Sequence, residues 1–329
     1  MEVIASGFVV VDIIAADLPR LPKPGDLVFA PRGIEIWIGG HAANLSVDLI
    51  QLGLKEVGVI LTIGKDIFGK FIENFLRSHK VTCFLNKVRE KSGKTLVLVV
   101  SGKDRSFISD VGANLYHDFD YVYKVLKKEE TKVFYLACGI LGDFDKKIDK
   151  IFEFCKEKRI ITVLDVLKPF GKSWDFIHPA LKFTDILHSN PIELYGITGF
   201  KDLKKGLLWL KERGVKLPIV SNGSKGLLAI YKDRLIKQPA FKVKVIDPTG
   251  AGDALCAGVI FKLLEKDLEN LDLEEVCDSL LFGQACGAAC VEAIGTTAGV
   301  TKDRVNEILI KQGHKVKSRT IIEKLKSFI

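Results

Sequence analysis

One short run of residues combines a turn, the start of a helix and a carboxylate. Residues 247–253 read Asp-Pro-Thr-Gly-Ala-Gly-Asp, and an apolar stretch follows at once. The first N–H groups of a helix lack intrahelical partners and carry partial positive charge, so a helix beginning here would bind an anion. Gly250 and Gly252 would let a phosphate approach the amides closely. Asp253 is suited to take a proton from an attacking hydroxyl, although it could equally serve only to interact with the helix dipole.

This segment resembles the C-terminal signature of the PfkB family, the ribokinase-like carbohydrate kinases. A second segment, Gly-Gly-His-Ala-Ala-Asn at residues 39–44, is similar to the N-terminal signature of the same family. The two motifs occur in the family's order, and the resemblance extends over roughly residues 3–301. It implies an ATP-dependent phosphotransferase that moves the γ-phosphate of MgATP to a primary hydroxyl of a sugar or sugar-like acceptor.

The resemblance also implies roles for the residues of both signatures. Asp253 would be the catalytic base, and the amides of Gly250, Ala251 and Gly252 would hold the transferring phosphoryl group. The acceptor would be bound by five residues, with Asn114 either a substrate-side or a structural residue: Asp12, Gly40, His41, Asn44 and Asn114. His41 stands where ribokinase-like relatives often carry Lys, which leaves the acceptor open.

Between and beyond the two signatures lie segments that resemble the family's nucleotide site. Glu193 would organise Mg²⁺ through water, and Asp247 and Thr249 would be the place for a potassium ion if one binds. An Asn-x-x-Glu element such as this one is also a common helix N-cap. The residues expected near the nucleotide are Asn190, Ser221, Gly223, Lys225, Gly226 and Gln284.

Strand-like and helix-like segments alternate from about residue 131 onward. This rhythm predicts an α/β fold with a mainly parallel sheet covered by helices. Ligands of such sheets bind at the carboxyl ends of the strands, where Asp165, Asn190 and Ser221 fall. Together with the resemblance, the pattern predicts one ribokinase-like three-layer domain spanning residues 1–329.

Two excursions from this pattern, residues 13–38 and 94–112, are expected to form a small β-sheet lid. Residues 95–100 and 105–109 have the pattern of a hairpin, and residues 34–38 alternate with apolar side chains on one face. In relatives of this kind the lids of two subunits clasp one another, which implies a homodimer. Trp37 would belong to that clasp or to a contact between lid and body. Residues 314–329 read as a basic helix of unknown role.

Composition narrows the function classes further. The net charge is +8, but lysines and arginines alternate with acidic residues, which is typical of solvated helix faces and not of a nucleic-acid surface. No transmembrane or signal segment is evident, so we expect a cytoplasmic protein without membrane partners. The alternatives for function are a nucleoside kinase, then a phosphofructokinase-type enzyme using Lys103, Arg105 and His41, and then a catalytically silent sugar-binding protein.

Overall fold

The structure is a computed structural model that describes residues 1–101 and 105–325. Within these residues, ten strands form one large sheet in the order β14-β13-β12-β11-β10-β9-β8-β1-β4-β5. The seven strands from β11 to β5 are parallel, and β12, β13 and β14 extend the sheet in antiparallel fashion. Its strands are β1 (Val3–Gly7), β4 (Val57–Gly64), β5 (Thr82–Val88), β8 (Val133–Cys138), β9 (Ile161–Val166), β10 (Ile186–Ser189), β11 (Leu217–Ser221), β12 (Leu227–Tyr231), β13 (Arg234–Gln238) and β14 (Ile321–Lys324).

Helices cover this sheet, as the alternation of segments predicts. The predicted α/β fold with a mainly parallel sheet is thus confirmed. The described helices are α1 (His41–Leu52), α2 (Ile67–Ser78), α3 (Phe119–Lys128), α4 (Ile148–Glu157), α5 (Pro191–Thr198), α6 (Leu203–Glu212), α7 (Ala251–Leu263), α8 (Leu273–Cys290) and α9 (Lys302–Ser318). Helices α1, α7, α8 and α9 pack on one another in that order. Across the described part of the chain, each helix is either too short or too polar to span a lipid bilayer.

Helices α1 and α7, which carry the two signatures, are the most important for the site. Helix α7 is apolar all round and buried from Asp253 to Ile260, as expected for a helix between the sheet and another helix. Helix α1 packs against α7 and also contacts β1, β4 and β8. The motifs lie far apart in sequence, yet this packing brings their first turns together.

A second sheet lies apart from the first and forms the lid. Its order is β3-β2-β6-β7, with strands β2 (Val10–Leu18), β3 (Ile34–Gly39), β6 (Lys94–Val100) and β7 (Arg105–Asp110). The predicted hairpin is confirmed by the antiparallel pairing of β6 with β7. The sheet begins at Val10, slightly before the predicted boundary, because β2 leaves the main sheet almost directly after β1. Lys103 of the connecting turn lies outside the described residues.

The two faces of the lid sheet can be assigned from its register. Ile36, Ile13, Leu96 and Ile108 are paired in sequence across the four strands and therefore share one face. Ile36 and Ile108 are 52% and 61% exposed, so this is the outer face. The opposite face carries Asp12, Thr95 and Arg105, and it looks toward the cleft between lid and body.

Of the predicted basic helix over residues 314–329, the described part is helical only as far as Ser318, and the prediction is wrong for Ile321–Lys324. Helix α9 ends at Ser318, and Ile321–Lys324 form β14, which pairs antiparallel with β13. Two adjacent isoleucines favour a strand, and Lys237 pairs with Glu323 across the strands at 2.6 Å. The segment therefore covers the edge of β13, which would otherwise expose unpaired backbone groups. Residues 326–329 lie outside the described part of the chain.

Candidate active site

The turn before α7 has the conformation that its glycines permit. Gly250 is the N-cap of α7, with φ of 84°, and a side chain at this position would lie 2.4 Å from the Thr296 carbonyl oxygen. Asp247 fixes the turn, because its Oδ1 accepts hydrogen bonds from the Thr249 backbone N–H at 2.9 Å and from the Thr249 hydroxyl at 2.6 Å. Among the described residues, no side chain caps the helix. The first amides of α7 are thus left for an anion.

Asp253 lies in the first turn of α7 and is 4% exposed. Its Oδ2 accepts a hydrogen bond from Asn44 Nδ2 at 2.8 Å, and Asn44 Oδ1 in turn accepts one from the Thr296 hydroxyl at 2.8 Å. Burial raises the pKa of Asp253 above its usual value, while His41 and the bond from Asn44 oppose this rise. A carboxylate with a raised pKa, held in one orientation, is suited to general-base work.

His41, the first residue of α1, stands beside this carboxylate. Its Nδ1 lies 3.7 Å from Asp253 Oδ1 and 3.9 Å from Asp165 Oδ2. Although burial opposes protonation, the charges of Asp253 and Asp165 prevail and raise the pKa of His41. The positive form of His41 is therefore favoured between two carboxylates.

Asp165 and His188 are site residues that the sequence analysis did not assign. They are direct neighbours in the register of β9 and β10, and His188 Nδ1 lies 3.3 Å from Asp165. Tyr135 also donates its hydroxyl to Asp165 at 3.0 Å. Despite burial, the positive charge of His188 lowers the pKa of Asp165 to about 2. The sequence indicates only that Asp165 is a polar residue at a strand end. The strand register that makes it a neighbour of His188 cannot be predicted from the sequence.

The residues expected to bind the acceptor lie where β2 and β3 enter the lid. A side chain at Gly39 would lie 2.2 Å from Asp12 Oδ2, so the carboxylate occupies the space next to this glycine. Gly40 has φ of 105° and is the N-cap of α1. Asp12 is 7% exposed, and burial, together with the charge of Asp247, raises its pKa to about 7.

The contacts of Asn114 favour a structural role for this residue over direct binding of the substrate. Its side-chain amide donates to the carbonyls of Val9 and Val111 at 2.9 and 2.8 Å, and its oxygen accepts from the Val9 N–H at 2.9 Å. It is 1% exposed. These bonds hold the connection between β1 and β2, so Asn114 fixes the backbone that leads to Asp12.

A cavity of about 680 Å³ opens beside the first turn of α7. Most of the predicted nucleotide residues line it, while Asn190 and Lys225 line a smaller neighbouring depression that shares Ser221. Gln284 donates one hydrogen bond to Gln238 at 2.7 Å, so its orientation is fixed at the cavity wall. The lining residues predicted from sequence are Ser221, Gly223, Gly226, Ala251, Gly252 and Gln284.

The Asn-x-x-Glu element forms a helix capping box. Asn190 Oδ1 accepts from the N–H groups of Ile192 and Glu193, and Glu193 Oε2 accepts from the Asn190 N–H at 2.7 Å. The motif therefore does serve as a helix N-cap in the structure. This does not exclude a second role, because burial, followed by the charge of Asp165, raises the pKa of Glu193 to about 7.

Arg105 connects the lid to residues 247–252, the anion turn at the start of α7. This residue of β7 donates from its guanidinium to Asp247 Oδ1 at 3.3 Å and also to the Thr249 hydroxyl. The contact brings the inner face of the lid against the first turn of α7. Trp37 makes a second contact between lid and body, since a side chain at Gly295 would lie 3.0 Å from its ring.

Comparisons with known proteins identify the family of the chain. The profile of the pfkB family carbohydrate kinases matches residues 5–303. Ribokinase from Mus musculus is 27% identical over 307 residues, which cover 89% of this chain and 91% of the mouse protein.

Two solved structures share the fold. The structure of Arabidopsis thaliana ribokinase complexed with ribose and ATP superposes with a TM-score of 0.78 at 23% identity, covering 93% of this chain and 98% of that one. The nucleoside kinase of Methanocaldococcus jannaschii, an archaeal member of the ribokinase family, has a TM-score of 0.72 at 25% identity, covering 94% and 99%. With the profile match across nearly the whole sequence, these findings show that the chain belongs to the pfkB family of carbohydrate kinases.

Proposed function

We propose that this kinase transfers the γ-phosphate of MgATP to a primary hydroxyl of a sugar or sugar-like acceptor, with Asp253 as the base. The observation that carries the proposal is the placement of a buried, oriented carboxylate within the turn whose free amides bind the anion. A carboxylate in that position repels a phosphate, so its presence there calls for a function that offsets the repulsion. Taking the proton of the attacking hydroxyl is such a function.

In this mechanism the acceptor lies between Asp12 and Asp253 beneath the inner face of the lid. Asp12 accepts hydrogen bonds from acceptor hydroxyls, and Asn44 holds Asp253 in its orientation at 2.8 Å. Asp253 takes the proton as the acceptor oxygen forms its bond to the γ-phosphorus and the bond to the bridging oxygen of ADP breaks. The amides of Gly250, Ala251 and Gly252 meet the charge that grows on the transferring oxygens.

The residues fit a magnesium ion held through water. One oxygen of Glu193 is used in the capping box, and the other remains for a hydrated ion at the end of β10. Mg²⁺ keeps several of its waters and prefers oxygen ligands, so a single carboxylate near the phosphates suffices. When bound, the ion would neutralise charge on the phosphates of ATP.

The anion turn at Asp247 and Thr249 does not fit a potassium ion in this conformation. Asp247 Oδ1 accepts hydrogen bonds from Thr249 and from the Arg105 guanidinium, and Cys290 Sγ lies 3.3 Å from the Thr249 carbonyl oxygen. A guanidinium beside Asp247 also repels a second cation. We propose that Arg105 provides the positive charge that a monovalent ion would otherwise bring to this turn.

The outer face of the lid supports a homodimer. Ile36, Ile13, Leu96 and Ile108 form an apolar row across all four lid strands, and three of them are more than 40% exposed. Such a continuous apolar row needs a cover. We propose that the cover is the same row of a second copy, because a two-fold interface requires a self-complementary patch. The seven free thiols and the use of ATP support a cytoplasmic location.

The first experiment is ADP release from MgATP with a panel of sugars, polyols, sugar phosphates and nucleosides. A strong signal with a free sugar or polyol is expected. A strong signal only with nucleosides would replace the proposed acceptor class and retain the phosphotransfer. If ATP binds but no acceptor releases ADP, whereas a ribokinase run in parallel responds to ribose, the proposed activity would be contradicted in favour of a binding protein.

A further inference from the structure

The pair formed by Asp165 and His188 has no part in the mechanism above, although it lies between the catalytic centre and the nucleotide cavity. His188 is 4% exposed, and its Nε2 lies 2.9 Å from the Ser221 hydroxyl oxygen. The ring also lies under the anion turn, since a methyl group at Gly252 would meet His188 Cε1 at 3.0 Å. A continuous chain of polar contacts thus runs from Asp165 through His188 to Ser221.

The charge of His188 decides which way the Ser221 hydroxyl can donate. With Nδ1 facing the Asp165 carboxylate, the hydrogen of a neutral ring belongs on Nδ1. Nε2 is then an acceptor, and it takes the single hydrogen of the Ser221 hydroxyl. In the imidazolium, Nε2 donates instead, so the hydroxyl hydrogen is released for another acceptor.

We propose that His188 is a positioning residue that, when protonated, turns the Ser221 hydroxyl into a hydrogen-bond donor for a nucleotide phosphate. The proposal rests on the proposed function and on the expectation that Ser221 lies near the nucleotide. Ser221 lines the main cavity and the adjoining depression, so its hydroxyl is placed to meet a phosphate there. With neutral His188 the hydroxyl would present only lone pairs to that phosphate.

The surroundings of His188 favour its protonated form. Burial alone lowers its pKa, but the charges of Asp165 on β9, Glu193 on α5 and Asp253 on α7 outweigh burial and raise it. His41 on α1 faces the same three carboxylates, and the charge of His188 acts to lower the pKa of His41. Tyr135 on β8 and Cys256 on α7 complete the shell through their contacts with Asp165. The donor form of Ser221 should therefore persist through neutral pH and be lost at higher pH.

The test compares wild type with Ser221→Ala in calorimetric titrations with ADP and with adenosine, from pH 6 to 9. Ser221 is only half-buried, so the variant should fold. At low pH the variant should bind ADP about tenfold more weakly, the effect of one charge-assisted hydrogen bond. This ratio should fall toward one as His188 loses its proton, while the ratio for adenosine stays near one throughout. Ser221→Thr should reproduce the pH dependence of wild type.

The difference between the two proteins cancels other titrating groups, including the phosphates of ADP. A ratio for ADP that is the same at every pH would overturn the inference and leave the proposed kinase function intact. A loss that is equal for ADP and adenosine would also overturn it, because it would place Ser221 against the nucleoside. If wild type failed to bind ADP at all, the inference and the proposed function would fall together.

Discussion

Asp253 is the residue at which chemistry and binding should separate most clearly. Asp253→Asn removes the base but leaves the amides of the anion turn in place. We expect turnover to fall by about 10³-fold or more, with the dissociation constant for ADP changed by no more than a few-fold. Rapid-quench assays and calorimetry measure the two quantities. Turnover within tenfold of wild type would show that another group accepts the proton.

Asp12 should make the use of the acceptor dependent on pH. Its pKa is raised to about 7, so below that pH it is protonated and loses its charge and part of its capacity to accept hydrogen bonds from the acceptor. We therefore expect kcat/KM for the acceptor to fall as pH drops through about 7 and to level off above it. The pKa of Asp12 is higher in the folded protein than in the unfolded chain. The contribution of this carboxyl group to folding stability is therefore full below its pKa in the unfolded chain and is lost as pH rises through about 7.

A matched variant separates Asp12 from Asp253, whose pKa is also raised. Asp12→Asn should lower kcat/KM for the acceptor about tenfold or more, the cost of losing one charged hydrogen-bond partner, with KM for ATP unchanged. Any acid limb that persists in this variant then belongs to Asp253 or to Glu193, the other site carboxylates with a raised pKa. A profile of wild type that is flat between pH 5.5 and 8 would mean that acceptor binding does not need the ionised form of Asp12.

At this scale the sequence predicts the residues of the motifs but not all of their partners. The signatures identify Asp253, His41 and Asn44, and the structure brings these three together. The bond from Asn44 to Asp253 could not be foreseen, because it depends on how α1 packs on α7. Asp165 and His188 escape for the same reason: only the register of β9 against β10 makes them neighbours.

At the scale of elements, the start of α7 depends on the backbone of Gly250. Gly250→Ala would force φ of 84° on a residue with a side chain and would place that side chain 2.4 Å from the Thr296 carbonyl oxygen. The left-handed conformation alone costs about 1–2 kcal/mol. We expect a larger loss of unfolding free energy than this, together with loss of turnover, in urea denaturation and activity assays.

Gly171→Ala is the control for that substitution. Gly171 has φ of 69°, but a side chain there would meet nothing within 4 Å. It should therefore lose only the conformational cost and keep its activity. Equal losses of unfolding free energy in the two variants would mean that the turn relaxes around the added methyl group.

The hairpin of β6 and β7 carries Arg105, whose contact with the turn should make potassium dispensable. We expect turnover of wild type to change less than twofold when sodium replaces potassium. In Arg105→Ala, Asp247 loses its guanidinium partner, so turnover should fall and should then respond to potassium. Arg32→Ala is the control, because Arg32 is a lid arginine that pairs with Asp17 at 3.6 Å instead of reaching the turn. Severalfold activation of wild type by potassium would contradict the role given to Arg105.

The alternation of strands and helices predicts the parallel sheet and the lid hairpin correctly. It fails at the C-terminus, where a basic, helix-like composition continues past the end of α9. Pairing with β13, a partner distant in sequence, decides the conformation of Ile321–Lys324. The two isoleucines favour a strand, but the pairing with a strand distant in sequence cannot be derived from the local pattern.

At the scale of the whole molecule, the outer face of the lid should determine the oligomeric state. Wild type is expected to have twice the chain mass of 36.4 kDa in size-exclusion chromatography with light scattering. Ile36→Glu would place a charge at the exposed β3 end of the apolar row and should give monomers. Ile310→Glu, at a site on α9 that is 85% exposed, should leave the dimer unchanged. Wild type that remains at the mass of one chain at high concentration would contradict the dimer.

The close approach of Asp12 to Gly39 has a consequence for protein engineering. The carboxylate proposed to bind the acceptor and the base of the lid occupy the same few ångströms, so neither can be redesigned without the other. A directed-evolution library aimed at new acceptors would waste its diversity at residues 12 and 39. Variation is better spent farther along the cleft-facing side of the lid, at Thr95, Phe107 and Ser109, where a new side chain can alter the shape of the pocket without dislodging its anchor.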